Sequence, residues 1–196
     1  MREFNPPFRI LLGPGPSDVD PRVLKAMSLT LVSHLDPIFV EVMNDIQLGL
    51  QAAFDAENPI TLPISGTGTA GMETAMVNMI EPGDDVLICS AGFFADRMMQ
   101  IAKRAGGDVR LIEAPAGQAV TPDQLSEAIK KKRPKVVAFV HVETSTGVAQ
   151  PIEPLAELLR DDDIVTIMDA VASLAGQPLN VGANGLDFVY SGSQKC

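Results

Sequence analysis

The sequence is poor in cysteine and in basic residues. Its 196 residues include only two cysteines, Cys89 and Cys196, and their spacing suggests neither a disulfide pair nor a metal site. Lys and Arg together number 15 against 25 Asp and Glu, so the formal net charge is −10. A nucleic-acid partner is therefore not expected, because binding phosphates requires a basic surface.

Long apolar runs are also missing. No stretch approaches the roughly 18 apolar residues that a membrane-spanning helix needs. The N-terminal residues, MREFNPPFRILLGPGP, are interrupted by prolines and resemble neither a signal peptide nor a transit peptide. Two cysteines without a pairing pattern fit a reducing compartment. We therefore expect a protein without a membrane segment, located in the cytoplasm.

The remaining composition, 46% apolar and 20% charged, permits one sizeable core. Residues 1–20 are rich in Pro and Gly and predict an ordered arm. Beyond them, apolar periodicity and capping residues predict alternating elements. Predicted helices cover 21–27, 37–55, 71–80, 94–104, 121–131 and 152–161. Predicted strands cover 60–64, 85–89, 109–112, 136–141, 164–169 and 188–190. The alternation predicts a three-layer α/β/α domain over 21–196 with a mostly parallel sheet.

A glycine- and hydroxyl-rich segment, Ser65-Gly66-Thr67-Gly68-Thr69, separates a predicted strand from a predicted helix. Its N–H groups, its hydroxyls and the helix N-terminus predict a phosphate-binding loop, with an ordinary glycine-rich turn as the alternative. The spacing Gly66-x-Gly68-x-x-Gly71 also matches the dinucleotide fingerprint, but the next strand ends Ile88-Cys89-Ser90 without the acidic residue that this fingerprint requires. A nucleoside triphosphate loop is excluded because no Gly-Lys-Ser/Thr follows.

Two further clusters follow predicted strands, at the sheet edge where ligands of such domains bind. In Ala91-Gly92-Phe93-Phe94, an aromatic ring could stack on a planar ligand, although most aromatic residues belong to the core. In His141-Val142-Glu143-Thr144-Ser145-Thr146-Gly147, the short polar side chains could donate to a ligand or simply cap the loop. The sequence does not distinguish these roles.

The last two clusters contain an acid and an amine. Asp169 ends the apolar run Ile164–Met168, and a carboxylate buried there needs a cation, which a protonated pyridine nitrogen would supply. The segment Ser191-Gly192-Ser193-Gln194-Lys195 offers hydroxyls for a phosphate and an amine for a carbonyl. All five clusters together supply an anion cradle, a stacking ring, a buried acid and an amine, which are the groups that pyridoxal phosphate requires.

These motifs, in this order, resemble the class V aminotransferases of fold type I, the group of alanine–glyoxylate and serine–pyruvate aminotransferases. The resemblance runs the whole length of the chain. The motifs that carry it are Gly13-Pro14-Gly15-Pro16, the block from Ser65 to Glu73, Glu81-Pro82-Gly83-Asp84, Glu143-Thr144-Ser145-Thr146-Gly147, Asp169-Ala170-Val171-Ala172-Ser173 and Ser191-Gly192-Ser193-Gln194-Lys195.

The resemblance implies two catalytic residues. Lys195 would hold pyridoxal 5'-phosphate as a Schiff base and act as the base in catalysis. Asp169 would pair with the pyridine nitrogen. Thr144 would face the phenolic oxygen of the cofactor, and Gly15 would lie near the substrate at the mouth of the site.

The resemblance also implies how the rest of the cofactor is held. The phosphate would be bound by the cradle residues Thr67, Gly68 and Thr69, with help from Ser193 or Gln194. Phe94, at a position where the family often has Trp, would stack on one face of the ring. Val171 would pack on the other face.

The implied activity is transamination between a small amino acid such as alanine or serine and glyoxylate or pyruvate, in a homodimer and without a metal. Another fold-type I pyridoxal-phosphate enzyme, a lyase or a ureidoglycine–glyoxylate aminotransferase, is an alternative, as is a catalytically incomplete cofactor-binding fragment. A desulfurase needs a mobile catalytic cysteine, which neither Cys89 nor Cys196 suits. The resemblance further implies a C-terminal small domain, with the arginine that binds the substrate carboxylate, beyond this chain.

Overall fold

The computed structural model describes residues 4–56, 60–160 and 163–195. In these ranges the helices are α1 (Pro21–Met27), α2 (Pro37–Phe54), α3 (Gly68–Met79), α4 (Phe93–Arg104), α5 (Pro122–Lys131), α6 (Glu153–Leu158) and α7 (Val181–Asn184). The strands are β1 (Asp85–Ser90), β2 (Asp108–Glu113), β3 (Val136–Val140), β4 (Val142–Glu143), β5 (Val148–Ala149), β6 (Val165–Asp169) and β7 (Phe188–Tyr190). None of these helices combines the length and the apolar character needed to cross a bilayer.

Three helices begin at residues whose side chains cap them. Asp20 accepts from the backbone N–H of Arg22 at 2.8 Å, and Asp36 caps α2 in the same way. Thr121 and Gln124 form a reciprocal capping box at the start of α5. Each of these caps is followed directly by proline, whose fixed φ suits the first helical position.

The main sheet has five strands in the order β2-β1-β3-β6-β7, and every pairing within it is parallel. The chain first adds β2 on one side of β1 and then adds β3, β6 and β7 on the other side. The direction of winding therefore reverses at β1. Ligands of open parallel sheets bind outside the carboxyl ends of the strands near such a reversal.

Helices cover both faces of this sheet. On one face, α3 and α4 bury Met72, Met76 and Met98 against Ile88 and Ala138. On the other face, the core cluster joins side chains from three helices to alternate residues of the same strands. This second cluster includes Leu87, Leu125, Phe139, Leu155 and Val181. Strands buried on both sides account for their continuous apolar runs, and the predicted three-layer α/β/α fold is confirmed.

Some predicted elements are wrong or displaced. Residues 60–64 form no strand: Pro63 has no N–H for a ladder, and Ile60 and Leu62 are mostly exposed. In α2 the apolar residues whose three- and four-residue spacing predicts the helix are not buried. Phe39, Met43 and Leu50 are half-buried, and Val42 and Ile46 are exposed. Helix α3 begins three residues earlier than predicted, at Gly68, so the end of the predicted phosphate loop is already helical.

The structure also contains elements that the periodicity did not reveal. Strands β4 and β5 pair as a two-residue antiparallel hairpin around residues 144–147, and α7 is a single turn. Both are too short to produce a hydrophobic repeat. The hairpin nevertheless determines where its polar side chains lie, and these side chains border the site.

Candidate active site

A pocket of about 220 Å³ lies at the carboxyl edge of the sheet. Its described lining residues are Gly66, Thr67, Gly68, Thr69, Met72, Phe94, Asp169, Val171, Gly192, Ser193, Gln194 and Lys195. Small-molecule pockets typically measure roughly 300–1,000 Å³. A pocket below this range suits one ring with its substituents better than a dinucleotide. Four of the five sequence clusters therefore meet at one place.

The predicted phosphate loop forms the N-terminus of α3. Thr67 is the N-cap residue, and its side chain makes no capping hydrogen bond. The Ala70 N–H donates to Thr67 O at 2.8 Å, and the partial positive charge of the helix N-terminus, with the hydroxyls beside it, suits an anion. The loop lies tightly against its neighbours: a Cβ added at Gly68 would lie 2.9 Å from Val171 Cγ2, and one at Gly192 would lie 3.3 Å from the Gly68 backbone. These contacts leave no room for larger residues where the backbone must approach a ligand.

Arg97 connects the loop to the aromatic cluster. Its Nη1 donates a hydrogen bond to Thr69 Oγ1 at 2.9 Å. Its guanidinium also lies over two rings, 5.0 Å from the centroid of Phe93 and 5.3 Å from that of Phe94. No motif in the sequence pointed to Arg97. The structure shows that one cation holds both a hydroxyl of the phosphate loop and the ring that lines the pocket.

Asp169 is buried at the end of β6, with 3% of its surface exposed. Val171 N donates to Oδ1 at 2.7 Å, and the Tyr190 hydroxyl donates to Oδ2 at 2.8 Å. Burial raises the pKa of Asp169 to about 6, although these two donors and the Lys195 charge act against the rise. Among the described residues no Lys, Arg or His forms an ion pair with Asp169, so the carboxylate can accept a cationic ligand group.

The Lys195 amine lies beside the N-terminal arm. Its Nζ donates to the Pro14 carbonyl at 2.6 Å. Ser17 fixes the same loop, because its N–H donates to Gln194 O at 3.1 Å and its hydroxyl donates to Lys195 O at 2.7 Å. A Cβ on Gly15 would lie 2.6 Å from Lys195 Cδ, and its φ of +130° also favours glycine. Gly15 thus lies against the Lys195 side chain, and its predicted place near the substrate stays a prediction.

Thr144 is the one predicted cofactor contact that does not line the described pocket. It is half-buried in the loop between β4 and β5. The neighbouring side chains of this loop bind the 91–95 segment: Ser145 and Glu143 accept hydrogen bonds from it, and Thr146 Oγ1 donates to Ala91 O at 3.0 Å. Glu143, Ser145 and Thr146 therefore bind the 91–95 segment, and a ligand contact of Thr144 stays a prediction.

Tyr190 is the functional neighbour that sequence reasoning missed. It is the only tyrosine of the chain and ends β7, directly across from Asp169 in the parallel register. The two residues are 21 positions apart in sequence. Only the order of the strands brings them together, so no local pattern could have revealed the contact.

The side chains at this pocket fit pyridoxal phosphate. The open N-terminus of α3 and its hydroxyls suit a phosphate, and the buried carboxylate of Asp169 suits a protonated ring nitrogen. Phe94 and Val171 offer apolar surfaces for a ring, and Lys195 provides an amine. Within the described parts of the chain, no group of His, Cys, Asp and Glu residues could hold a metal ion.

Comparison with known proteins agrees with this geometry. The family model of class-V aminotransferases matches residues 10–196. The chain belongs to the class-V aminotransferase family. The resemblance noted in the sequence is thereby confirmed, and the three-layer fold is the one that this family shares with its solved members.

Three members of the class-V family illustrate the similarity. The alanine–glyoxylate aminotransferase of Rattus norvegicus is 40% identical over 189 residues, covering 96% of this chain and 46% of that protein. The structure of the Nostoc sp. alanine–glyoxylate aminotransferase has 45% identity and a TM-score of 0.96, covering 99% of this chain and 52% of that one. The ureidoglycine–glyoxylate aminotransferase of Bacillus subtilis has 40% identity and a TM-score of 0.97, covering 100% and 50%.

The chain therefore spans about half the length of the relatives it matches. The matched half contains the sheet, the phosphate loop, Asp169 and Lys195.

Proposed function

We propose that this chain is the cofactor-binding part of a pyridoxal-phosphate-dependent aminotransferase. One observation carries the proposal: the amine of Lys195, the carboxylate of Asp169, the N-terminus of α3 and the ring of Phe94 all line one pocket. These residues are spread over more than a hundred positions of the sequence, and their convergence matches the chemical groups of a single cofactor. Bound pyridoxal phosphate supplies an electron sink for the pair left when a substrate C–H bond breaks.

Lys195 and Asp169 have the two chemical roles in this proposal. Lys195 would hold the cofactor through its Nζ amine and would move the proton of the substrate α-carbon. Asp169 holds the proton on the pyridine nitrogen. Tyr190 and Val171 keep both carboxylate oxygens of Asp169 hydrogen-bonded, which fixes the carboxylate for that contact.

The remaining residues orient the cofactor. Thr67, Gly68 and Thr69 hold the phosphate through backbone N–H groups and hydroxyls, and Ser193 and Gln194 complete this contact from the Lys195 loop. Phe94 and Val171 would pack on the two faces of the ring. Thr144, which is half-buried in the neighbouring loop and outside the pocket lining, would be the contact for the phenolic oxygen.

Covalent labelling tests the proposal directly. The full-length protein incubated with pyridoxal phosphate is reduced with borohydride, which makes the bond to the lysine permanent, and is then digested and mapped by mass spectrometry. We expect the label on Lys195, and we expect Lys195→Ala to remove both the label and the visible absorbance band of the cofactor. A label on another lysine, or an unlabelled protein, contradicts the proposed function.

We propose that the substrates are a small amino acid, such as alanine or serine, and glyoxylate or pyruvate. The rat and Nostoc relatives are named for alanine and glyoxylate, which supports this pair. The Bacillus subtilis relative is named for ureidoglycine and glyoxylate at a similar identity, so ureidoglycine is the second candidate donor. Half-reactions of the full-length enzyme with a panel of amino donors can be measured by the loss of cofactor absorbance. We expect faster half-reactions with alanine and serine than with ureidoglycine; the reverse order would identify ureidoglycine as the donor.

A desulfurase activity is not supported by the described cysteine. Cys89 lies within β1 and is buried, and burial raises the pKa of its thiol to about 12. A thiol that stays protonated inside the central sheet cannot act as a mobile nucleophile. Cys196 lies outside the described residues.

We propose that residues 1–20 form an arm, residues 21–196 a cofactor-binding large domain, and the working enzyme a cytoplasmic homodimer. Contacts of Pro14 and Ser17 with the Lys195 loop support the arm. Apolar exposure supports the dimer: many large apolar side chains between residues 4 and 62 lie exposed, among them Phe8, Leu12, Leu31 and Leu35. The free, buried Cys89 agrees with a reducing compartment.

A further inference from the structure

Glu143 is a fully buried carboxylate, with 0% of its surface exposed, at the end of β4. Oε2 accepts from the backbone N–H groups of Phe94 at 2.9 Å and Ala95 at 3.4 Å. Oε1 accepts from Ser145, from its N–H at 3.0 Å and from its hydroxyl at 2.7 Å. Burying a carboxylate is costly unless its oxygens are hydrogen-bonded, so these contacts explain how the fold tolerates Glu143.

Glu143 provides hydrogen-bond acceptors for the first-turn N–H groups of α4, which the N-cap residue of this helix cannot provide. The N-cap residue of α4 is Gly92, which has no side chain to bond to the first-turn N–H groups. Glu143 caps Phe94 and Ala95 from another strand, and Ser145 Oγ accepts from Phe93 N at 3.0 Å. A negative charge at this end also suits the helix dipole.

The close approach of these two segments depends on Gly92. A Cβ at this position would lie 2.5 Å from Ser145 Oγ and 2.6 Å from Glu143 Cγ. Gly92 has no side chain that could cap the helix, but its small size lets the β4–β5 hairpin approach α4 closely. The start of α4 is held by residues some 50 positions away in the sequence.

The first turn of α4 carries Phe94 into the pocket. The Phe94 amide is bonded to Glu143, and its ring lines the pocket with Asp169 and Val171. Arg97, one turn later, holds the same ring and Thr69. A shift of the first turn would move the ring relative to the floor of the pocket.

We propose that Glu143 is a positioning residue for the cofactor. It caps α4 from strand β4 of the same chain and thereby fixes Phe94 where its ring stacks on the pyridine ring. The inference rests on the proposed function, because the ring must have a planar ligand to stack on. Glu143 makes no contact with the ligand in this role. It acts through the backbone of Phe94.

A double-mutant cycle on the full-length protein tests this route. Glu143→Gln removes the charge and leaves one acceptor oxygen, so we expect the dissociation constant for pyridoxal phosphate to rise by about tenfold. In a Phe94→Leu background, which has no stacking ring, the same substitution should change the dissociation constant by less than about threefold. Ser145→Ala, a milder loss of the same cap, should shift it in the same direction by less.

The cycle distinguishes positioning through Phe94 from an electrostatic effect on Asp169 and from a general loss of stability. The Glu143 charge also acts on Asp169, but an effect through Asp169 would persist in the Phe94→Leu background. Thr121→Ala removes the cap of α5, away from the pocket, and reports what a general loss of stability does. Equal effects of Glu143→Gln and Thr121→Ala, or an undiminished effect in the Phe94→Leu background, would overturn the inference.

Amide hydrogen exchange of the cofactor-free protein provides a readout independent of binding. If Glu143 caps α4, the Phe94 and Ala95 amides should exchange faster in Glu143→Gln than in the wild type, while the amides of α5 stay unchanged. Unchanged exchange at these amides refutes the cap. If the wild type binds no pyridoxal phosphate, the proposed function fails and the positioning role fails with it; if it binds and Glu143→Gln binds equally well, only the inference fails.

Discussion

Asp169 illustrates how burial and hydrogen bonding oppose each other at one carboxyl group. Burial and the nearby Glu143 charge raise its pKa, whereas the donors Val171 and Tyr190 and the Lys195 charge lower it, leaving a value of about 6. This pKa lies above the ordinary value of 3.8. The free energy of unfolding therefore decreases as the pH rises from 3.8 to about 6, and the whole decrease remains at higher pH. A cationic ring nitrogen beside the carboxylate offsets that decrease, which links cofactor binding to the ionisation of Asp169.

We expect the affinity for pyridoxal phosphate to fall as the pH drops below about 6, the pKa to which burial raises Asp169. Protonation removes the negative charge that holds the ring nitrogen, so the loss should approach about tenfold per pH unit. Absorbance titrations between pH 5 and pH 8 measure it. Asp169→Asn serves as the control for titration of the cofactor's own phosphate, and parallel profiles for the two proteins would contradict the expectation.

Tyr190→Phe should move the same transition to higher pH. The Tyr190 hydroxyl donates to Asp169 and stabilises its ionised form, so removing the hydroxyl raises the pKa of Asp169 further. The pH dependence of cofactor binding in this variant measures the shift. A transition at the same or a lower pH would show that Tyr190 does not tune Asp169.

Two loops at the sheet edge shape the site through contacts between elements. The hairpin of β4 and β5 caps α4, and Arg97 of α4 binds Thr69 at the start of α3. The helices on this face are therefore tied at the ends that border the pocket. The β4–β5 hairpin and the 65–69 loop have no regular hydrophobic pattern. Both are held by polar side chains that bond to another element.

Thr69→Ala should weaken the binding of pyridoxal phosphate by about 1–3 kcal/mol, as expected for the loss of a charge-assisted hydrogen bond. The variant also removes the acceptor for Arg97. Thr74→Ala is the matched control, because Thr74 lies in the same helix, does not line the pocket, and donates to Ala70 O one turn back. Equal affinities of the two variants, or measurable binding of NAD to the wild type, would overturn the phosphate assignment.

At the scale of the whole molecule, the described chain leaves much apolar surface open. None of the residues of α1 and α2 is buried, whereas α3 and α4 bury Met72, Met76, Ala95 and Met98 almost completely. The N-terminal region is thus rich in large apolar residues, but these residues are not buried. Exposed apolar surface of this extent is typical of an interface with another protein surface, such as the dimer proposed above.

We expect the 196-residue chain alone to show no transamination above background, and a protein of the relatives' length to be an active homodimer. Arg97, which contacts the pocket residues Thr69 and Phe94, is engaged with that hydroxyl and with two rings, and no arginine lines the described pocket. Without a partner for the substrate carboxylate, the α C–H bond is not oriented and much of the rate is lost. Alanine–glyoxylate assays and sedimentation of both proteins test this. Robust turnover by the short chain would refute it.

Local sequence determined most of the elements of this protein. The caps Asp20 and Thr121 and the apolar runs of the five sheet strands predicted helices and strands to within a few residues, because capping and burial of apolar runs are short-range. The clusters at the strand ends were also visible in sequence. Parallel strands bring their carboxyl ends to one edge, so their convergence could be expected.

The tertiary structure decided which side chains meet. Strand order places Tyr190 across from Asp169, and a hairpin too short for periodicity turns Glu143 into the cap of a distant helix. The apolar residues that predicted a strand over 60–64 and the helix α2 are largely exposed. A hydrophobic pattern indicates only that a residue favours burial. Whether it is buried, and against which residues, depends on elements far away in the chain.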